Sequence, residues 1–144
     1  MNLETRVVRR AGFGKVEQIK SAKDWTLDGD EAKKRLYFEK AIGCYAKAFE
    51  TASMTQKVYL VPRVMACYRK LGNPTQAKTF FIEMKNRYGS GILDRASYIV
   101  MAAVHGDLKE WDMALQCANQ ACILNEGVID QYLDAVYGRI NYNI

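Results

Sequence analysis

The sequence predicts an all-α fold, an α-solenoid of about three antiparallel helical hairpins with a C-terminal capping helix. Three observations lead to this prediction. Apolar residues recur three and four positions apart, glycine and proline separate the helical stretches, and the pattern returns with a period of roughly 35 residues. Because one hairpin cannot bury its own apolar face, about three stacked copies are the minimum that is stable.

The clearest copy spans residues 58–91. Both of its helices carry one apolar face, and between them Gly72, Asn73 and Pro74 provide a helix stop, a cap and a first helical residue. This is the signature of a sharp antiparallel turn. Pro62 lies in the first helix, where it must either fall in the first turn or bend the helix.

An earlier copy spans residues 22–53. Small residues at Gly29 and Ala41 leave room for two helices to cross closely, and larger side chains fill the space around that crossing. These larger residues are Trp25, Phe38 and Tyr45.

A later copy spans residues 93–126, and its first helix has two possible registers. Either Gly106 and Asp107 end the helix and the next three residues lengthen the turn, or the helix continues to Leu108 with His105 in the aromatic position. We prefer the first register, because Gly favours the end of one helix and Asp favours the start of the next.

The repeats resemble the tetratricopeptide repeat. The residues that carry the resemblance are Trp25, Gly29, Ala32, Phe38, Ala41, Tyr45 and Ala48 in the first copy, and Tyr68, Gly72, Ala77, Phe81 and, loosely, Met84 in the second. Met65 departs from the pattern, because the family prefers a small residue there. The resemblance implies a non-enzymatic scaffold or adaptor that binds another protein.

The two ends of the chain are less regular. Residues 1–21 form a basic extension, either a free arm or, as we prefer, a segment that packs Val7, Val8, Phe13 and Val16 over the first hairpin. Residues 127–144 contain one amphipathic helix. It either caps the array or begins a further repeat.

In the resembling family, the first helices of the hairpins line a concave groove. The groove positions of this chain are predominantly cationic: Lys33, Lys34, Tyr59, Arg63, Arg69 and Lys70. Such a groove suits an acidic or phosphorylated peptide, although a solvated face that keeps the protein soluble is the alternative. The family's clamp for a terminal carboxylate is not expected, because Thr26, Asp30 and Ala66 stand at its positions.

The sequence offers no candidate catalytic or metal site, and we expect no cofactor. His105 is the single histidine, and no hydrolase or metalloprotease motif is present. The four cysteines, Cys44, Cys67, Cys117 and Cys122, form no C-x-x-C pair, which indicates free thiols in the cytoplasm or another reducing compartment. No apolar run is long enough to predict membrane insertion.

A second interpretation is an RNA-binding module or a structural subunit of a ribonucleoprotein or other large assembly. The net charge of +5 and a pI of about 9.0 fit RNA. Residues 72–89 also resemble a pentatricopeptide repeat, whose hairpins bind single-stranded RNA. Ile99 and Val100 weigh against it, because that family's base-reading positions are polar.

Overall fold

A computed structural model describes the backbone of residues 3–10 and 13–144 and the side chains of residues 19–144. Within this part, the helices are α1 (Ala22–Lys34), α2 (Phe38–Thr51), α3 (Met54–Lys70), α4 (Pro74–Tyr88), α5 (Arg95–Asp107), α6 (Trp111–Leu124) and α7 (Gln131–Asn143). They form three antiparallel hairpins, α1–α2, α3–α4 and α5–α6, followed by α7. The predicted α-solenoid of three helical hairpins followed by a C-terminal helix is confirmed.

Side-chain caps fix the starts of the first helices. The side chain of Ser21 accepts a hydrogen bond from the backbone amide of Asp24, and that of Asp94 accepts one from the amide of Ser97. The side chain of Asp130 accepts hydrogen bonds from the amides of Tyr132 and Leu133. In α3, Ser53 and Gln56 form a reciprocal capping box. This box starts α3 at Met54, earlier than the repeat pattern indicated. Pro62 therefore lies inside the helix, beyond its first turn.

The three hairpin turns have the same geometry. In each turn one residue adopts the left-handed conformation, with φ of 66° at Leu36, 77° at Gly72 and 60° at Lys109. The amides of Tyr37, Asn73 and Glu110 then donate to the carbonyls of Ala32, Tyr68 and His105. His105 thus occupies the position of Tyr68. The register that we preferred for the third copy is wrong, because Gly106 and Asp107 remain helical and the turn is no longer than the others.

The first helices of the hairpins form the inner layer of the array. Helix α3 contacts α1 and α5, and α5 contacts α7, whereas the second helices of the described hairpins barely contact one another. An array whose inner helices lie closer together than its outer helices is curved. The concave face consequently belongs to α1, α3, α5 and α7.

Small residues sit at the helix crossings. Ala41, Ala77 and Ala114, at equivalent positions of the three second helices, are fully buried. In the first hairpin, a Cβ atom at Gly29 would lie 2.5 Å from the ring of Tyr45, so only glycine fits there without a shift of the ring. The close crossing that the sequence predicted is confirmed.

Helix α7 packs against both helices of the third hairpin. Its own side chains Leu133 and Ile140 are buried. Counted from the helix start, Asp134 and Gly138 are equivalent to Trp25 and Gly29, which face the second helix in the first hairpin. In α7 these positions are polar and open, and a Cβ atom at Gly138 would meet nothing within 4 Å.

A β-hairpin precedes the helices and was not predicted. Strands β1 (Leu3–Arg10) and β2 (Phe13–Lys20) pair antiparallel, with Leu3 opposite Lys20. Lys20 forms an ion pair with Asp28 and lies 4.6 Å from the ring centroid of Trp25, which ties β2 to α1. The predicted packing of Val7, Val8, Phe13 and Val16 concerns side chains outside the described ones.

Candidate functional site

All six residues that the sequence selected lie on α1 and α3, two of the helices that form the concave face. Lys34 and Lys70 are exposed at the ends of α1 and α3, Lys33 is half-buried, and none of the three forms an ion pair with any residue from 19 to 144. These three lysines are therefore available to a ligand. The two arginines are in a different situation.

Arg63 is held between an aromatic ring and a carboxylate. Its guanidinium carbon lies 3.2 Å from the ring centroid of Tyr59, and its Nε lies 3.4 Å from Asp30 Oδ1. The hydroxyl of Tyr45 donates to the same carboxylate oxygen at 2.6 Å. Burial, and then this hydrogen bond, raise the pKa of Tyr45, so that its hydroxyl remains protonated and donates. Arg63 mainly neutralises Asp30 and presents Tyr59, which is 44% exposed.

Arg69 belongs to a bridge across three inner helices. Its Nε and its Nη2 donate to Asp107 at 2.6 and 3.1 Å. Arg139 of α7 donates to Asp107 at 3.0 Å and to the carbonyl of Ala103 at 3.2 Å. Asp107 thus connects α3, α5 and α7. The repeat pattern did not reveal this bridge, because its partners are 38 and 32 residues apart in sequence.

A cleft of about 350 Å³ opens between α1 and α3 on this face. Leu27, 56% exposed, and Tyr59 provide apolar surface, and the remaining lining is polar: Lys23, Thr26, Asp30, Thr55 and Gln56. Such a mixture suits one apolar side chain of a peptide, with polar groups that orient its backbone.

The chemistry of the concave face changes along the array. Helices α1 and α3 carry the free lysines, whereas α5 contributes the half-buried apolar residues Ile99, Val100 and Ala103. A carboxylate pairs with an ammonium group, and an aliphatic side chain packs on the apolar half. The face can therefore hold an extended segment that is acidic at one end and apolar at the other.

His105 contributes to packing. Its side chain is 4% exposed, and its Nδ1 lies 2.8 Å from Glu110 Oε1. Lys78 donates to both oxygens of Glu110 at 3.1 Å. This network joins α4 to the turn between α5 and α6. Hydrogen bonds from His105 and Lys78 lower the pKa of Glu110, so its carboxylate stays charged.

The described residues contain no cluster of metal-ligating side chains. All four cysteines are free thiols. In the part of the chain that the structure describes, no helix combines the length and the apolar character that a membrane span requires.

Solved structures of other proteins share the fold of this chain. Neither a family model nor a curated protein sequence matches the chain. The TPR domain of Arabidopsis OM64 superposes with a TM-score of 0.70 at 15% identity, over 85% of this chain and 96% of that domain. The TPR2B domain of yeast Sti1, in its complex with pHsp70, superposes with a TM-score of 0.70 at 18% identity, over 85% of this chain and 98% of that chain. The chain therefore has a tetratricopeptide-repeat-like fold.

Proposed function

We propose that this chain is a non-enzymatic protein-interaction module whose concave face binds an acidic segment of a partner protein. The observation that carries the proposal is the set of free lysines, Lys33, Lys34 and Lys70, beside a cleft that presents Tyr59. Free ammonium groups give affinity for carboxylates, and an exposed tyrosine supplies contact area at low entropic cost.

The mode of recognition differs from capture of a terminal carboxylate. At Asp30, the chain places a carboxylate on the concave face and satisfies it with Arg63 and Tyr45. A peptide terminus there would meet an anion. We therefore assign the acidic contacts to internal aspartate or glutamate side chains of the partner, near Lys34 and Lys70. The four free thiols fit a reducing compartment such as the cytoplasm.

The experiment is affinity purification of the partner from nuclease-treated lysate, followed by titration of the identified protein. In the variant Lys34→Glu/Lys70→Glu, affinity for the partner should fall roughly tenfold or more, because both substitutions place a negative charge opposite the partner's carboxylates. The matched control, Lys40→Glu/Lys47→Glu, makes the same charge change on exposed lysines of α2. Equal binding by the test variant and the wild type would refute the acidic contact.

The RNA alternative makes a different prediction in the same experiment. If the chain binds RNA, nuclease should remove the partner, and affinity for a single-stranded oligouridylate should fall steeply as salt rises. A protein partner that survives nuclease and moderate salt supports the interaction module. A subunit of a ribonucleoprotein would be recovered with its RNA only when nuclease is omitted.

A further inference from the structure

The outer layer of the array contains two seams between successive second helices. The first seam lies between α2 and α4, and the second lies between α4 and α6. These helices begin at Phe38, Pro74 and Trp111, so residues at the same number of steps from each start are equivalent.

Aromatic side chains close the first seam. The ring centroids of Phe49 and Tyr88 are 5.9 Å apart, and those of Tyr68 and Phe80 are 6.5 Å apart. The ammonium group of Lys57 lies 5.5 Å from the ring centroid of Phe49 and 5.8 Å from that of Tyr88. The space between α2 and α4 is therefore filled from within the chain.

Smaller or polar residues replace each of these rings in the second seam. Phe49 is replaced by Lys85, Phe80 by Cys117, Tyr68 by His105 and Tyr88 by Asn125. A cleft of about 390 Å³ opens there, which we call the α4–α6 cleft. The backbone register is the same in both seams, so the difference in filling comes from the side chains.

The α4–α6 cleft has an apolar floor and apolar rims. Phe81 and Met101 are almost fully buried in its floor. Ile82 on one rim and Met113 on the other are 46% and 45% exposed, unlike the buried side chains beneath them. The lining follows each helix for eight residues, from Lys78 to Lys85 on α4 and from Met113 to Gln120 on α6. This is about two helical turns, or roughly 10 Å.

The cleft has one free charge. Lys78 is engaged by Glu110, whereas Lys85 is exposed and forms no ion pair with residues 19–144. The α6 wall is neutral, with Gln116 and Gln120, and no carboxylate is among the described lining residues. The cleft therefore complements a segment that is apolar with an acidic residue at one edge.

We propose that the α4–α6 cleft docks an amphipathic helix of a partner protein. Its apolar side chains pack on Ile82 and Met113, and a carboxylate beside them pairs with Lys85. A groove between two neighbouring helices accepts the ridge of a third, and a few apolar anchors at three-and-four spacing fill it. The site lies in the outer layer, on the opposite side of the array from the concave face, so it does not depend on what that face binds.

The test uses the full chain and a synthetic helical peptide of about 14 residues, or roughly four turns. The peptide carries leucines at three-and-four spacing flanked by glutamates, and a matched peptide carries lysines in place of the glutamates. Binding is followed by fluorescence anisotropy and by the NMR signals of the Ile82 and Met113 methyl groups. We expect saturable binding of the acidic peptide, shifts of both methyl signals, and roughly tenfold weaker binding of the basic peptide.

Two variants decide whether the cleft is the site. Lys85→Phe/Asn125→Tyr recreates the aromatic filling of the first seam and should abolish binding. Gln116→Glu adds a carboxylate to an exposed position of the neutral wall and should weaken binding of the acidic peptide without affecting folding. If the filled variant does not fold, Gln116→Glu alone decides. Absence of saturable binding, or binding that is unchanged in Gln116→Glu, would overturn the proposal.

Discussion

The first and second hairpins share one turn geometry but differ at the crossing of their helices. In the first hairpin Gly29 lies under the ring of Tyr45, whereas the equivalent residues of the second hairpin are Met65 and Phe81. The helices of the first hairpin pack more closely along their length than those of the second. The turn therefore sets the register of a hairpin, while the bulk at two crossing positions sets the separation of its helices.

The largest effect should come from removing bulk in the second hairpin. Met65→Ala deletes a side chain that is fully buried between helices which are already more widely spaced. We expect a loss of about 2–5 kcal/mol in the free energy of unfolding, because the cavity closes only in part. Chemical denaturation measures it. Met54→Ala, on the exposed first turn of the same helix, should change stability by less than about 0.5 kcal/mol.

Adding bulk should be costlier in the tighter hairpin. Ala41→Leu and Ala77→Leu each overpack a fully buried position and should cost about 1–3 kcal/mol. The cost should be greater at Ala41, because the first hairpin has the closer helices. Thermal unfolding followed by circular dichroism tests both. Unchanged melting temperatures in both variants would contradict the repeat register.

Glycine at the crossing position can be compared between α1 and α7. Gly29→Ala forces a Cβ atom against Tyr45 and should destabilise the chain by about 1–3 kcal/mol. Gly138→Ala, at the equivalent position of α7, meets open space and should stabilise it by up to about 1 kcal/mol. Equal effects in urea denaturation would show that the ring of Tyr45 does not restrict position 29.

The smallest effect concerns the third hairpin, whose turn carries the network of His105, Glu110 and Lys78. The pKa of Glu110 is lowered in the folded chain, so its contribution to stability is present above the unfolded value of about 4.3 and is lost as the pH falls through the lowered pKa. Glu110→Gln should be less stable than the wild type at neutral pH, and the difference should shrink below about pH 4. Urea titrations of both proteins at each pH measure it. A difference that does not vary with pH would exclude the ionised carboxylate.

Much of this architecture could be predicted from local pattern. The hairpins and the turn at Gly72 and Pro74 follow from apolar spacing and backbone preference, which act over a few residues. The third register was missed for a physical reason. Gly106, the residue with the strongest local tendency to end a helix, remains inside α5. The left-handed residue of the turn is instead Lys109, which nothing in its local sequence marks as such. The start of α3 was missed although Ser53 and Gln56 signal it.

The candidate site was less predictable than the fold. The sequence selected six residues on the first helices of the hairpins, but it could not show that Arg63 and Arg69 are already engaged by carboxylates. Those partners come from other helices, and the pairing depends on how the helices stack. The α4–α6 cleft was missed for a related reason, since it results from rings that are absent at equivalent positions rather than from a motif.

The shared carboxylate of Asp107 has a consequence for the response of the molecule to a bound anion. Arg69 and Arg139 both depend on it, so an anion that draws Arg69 away leaves Arg139 as its only guanidinium partner among the described residues. The hold on α7 then strengthens while that on α3 weakens. An anion bound at Arg69 on α3 is thereby coupled energetically to the attachment of α7, and by reciprocity a ligand that displaces α7 alters the affinity for that anion.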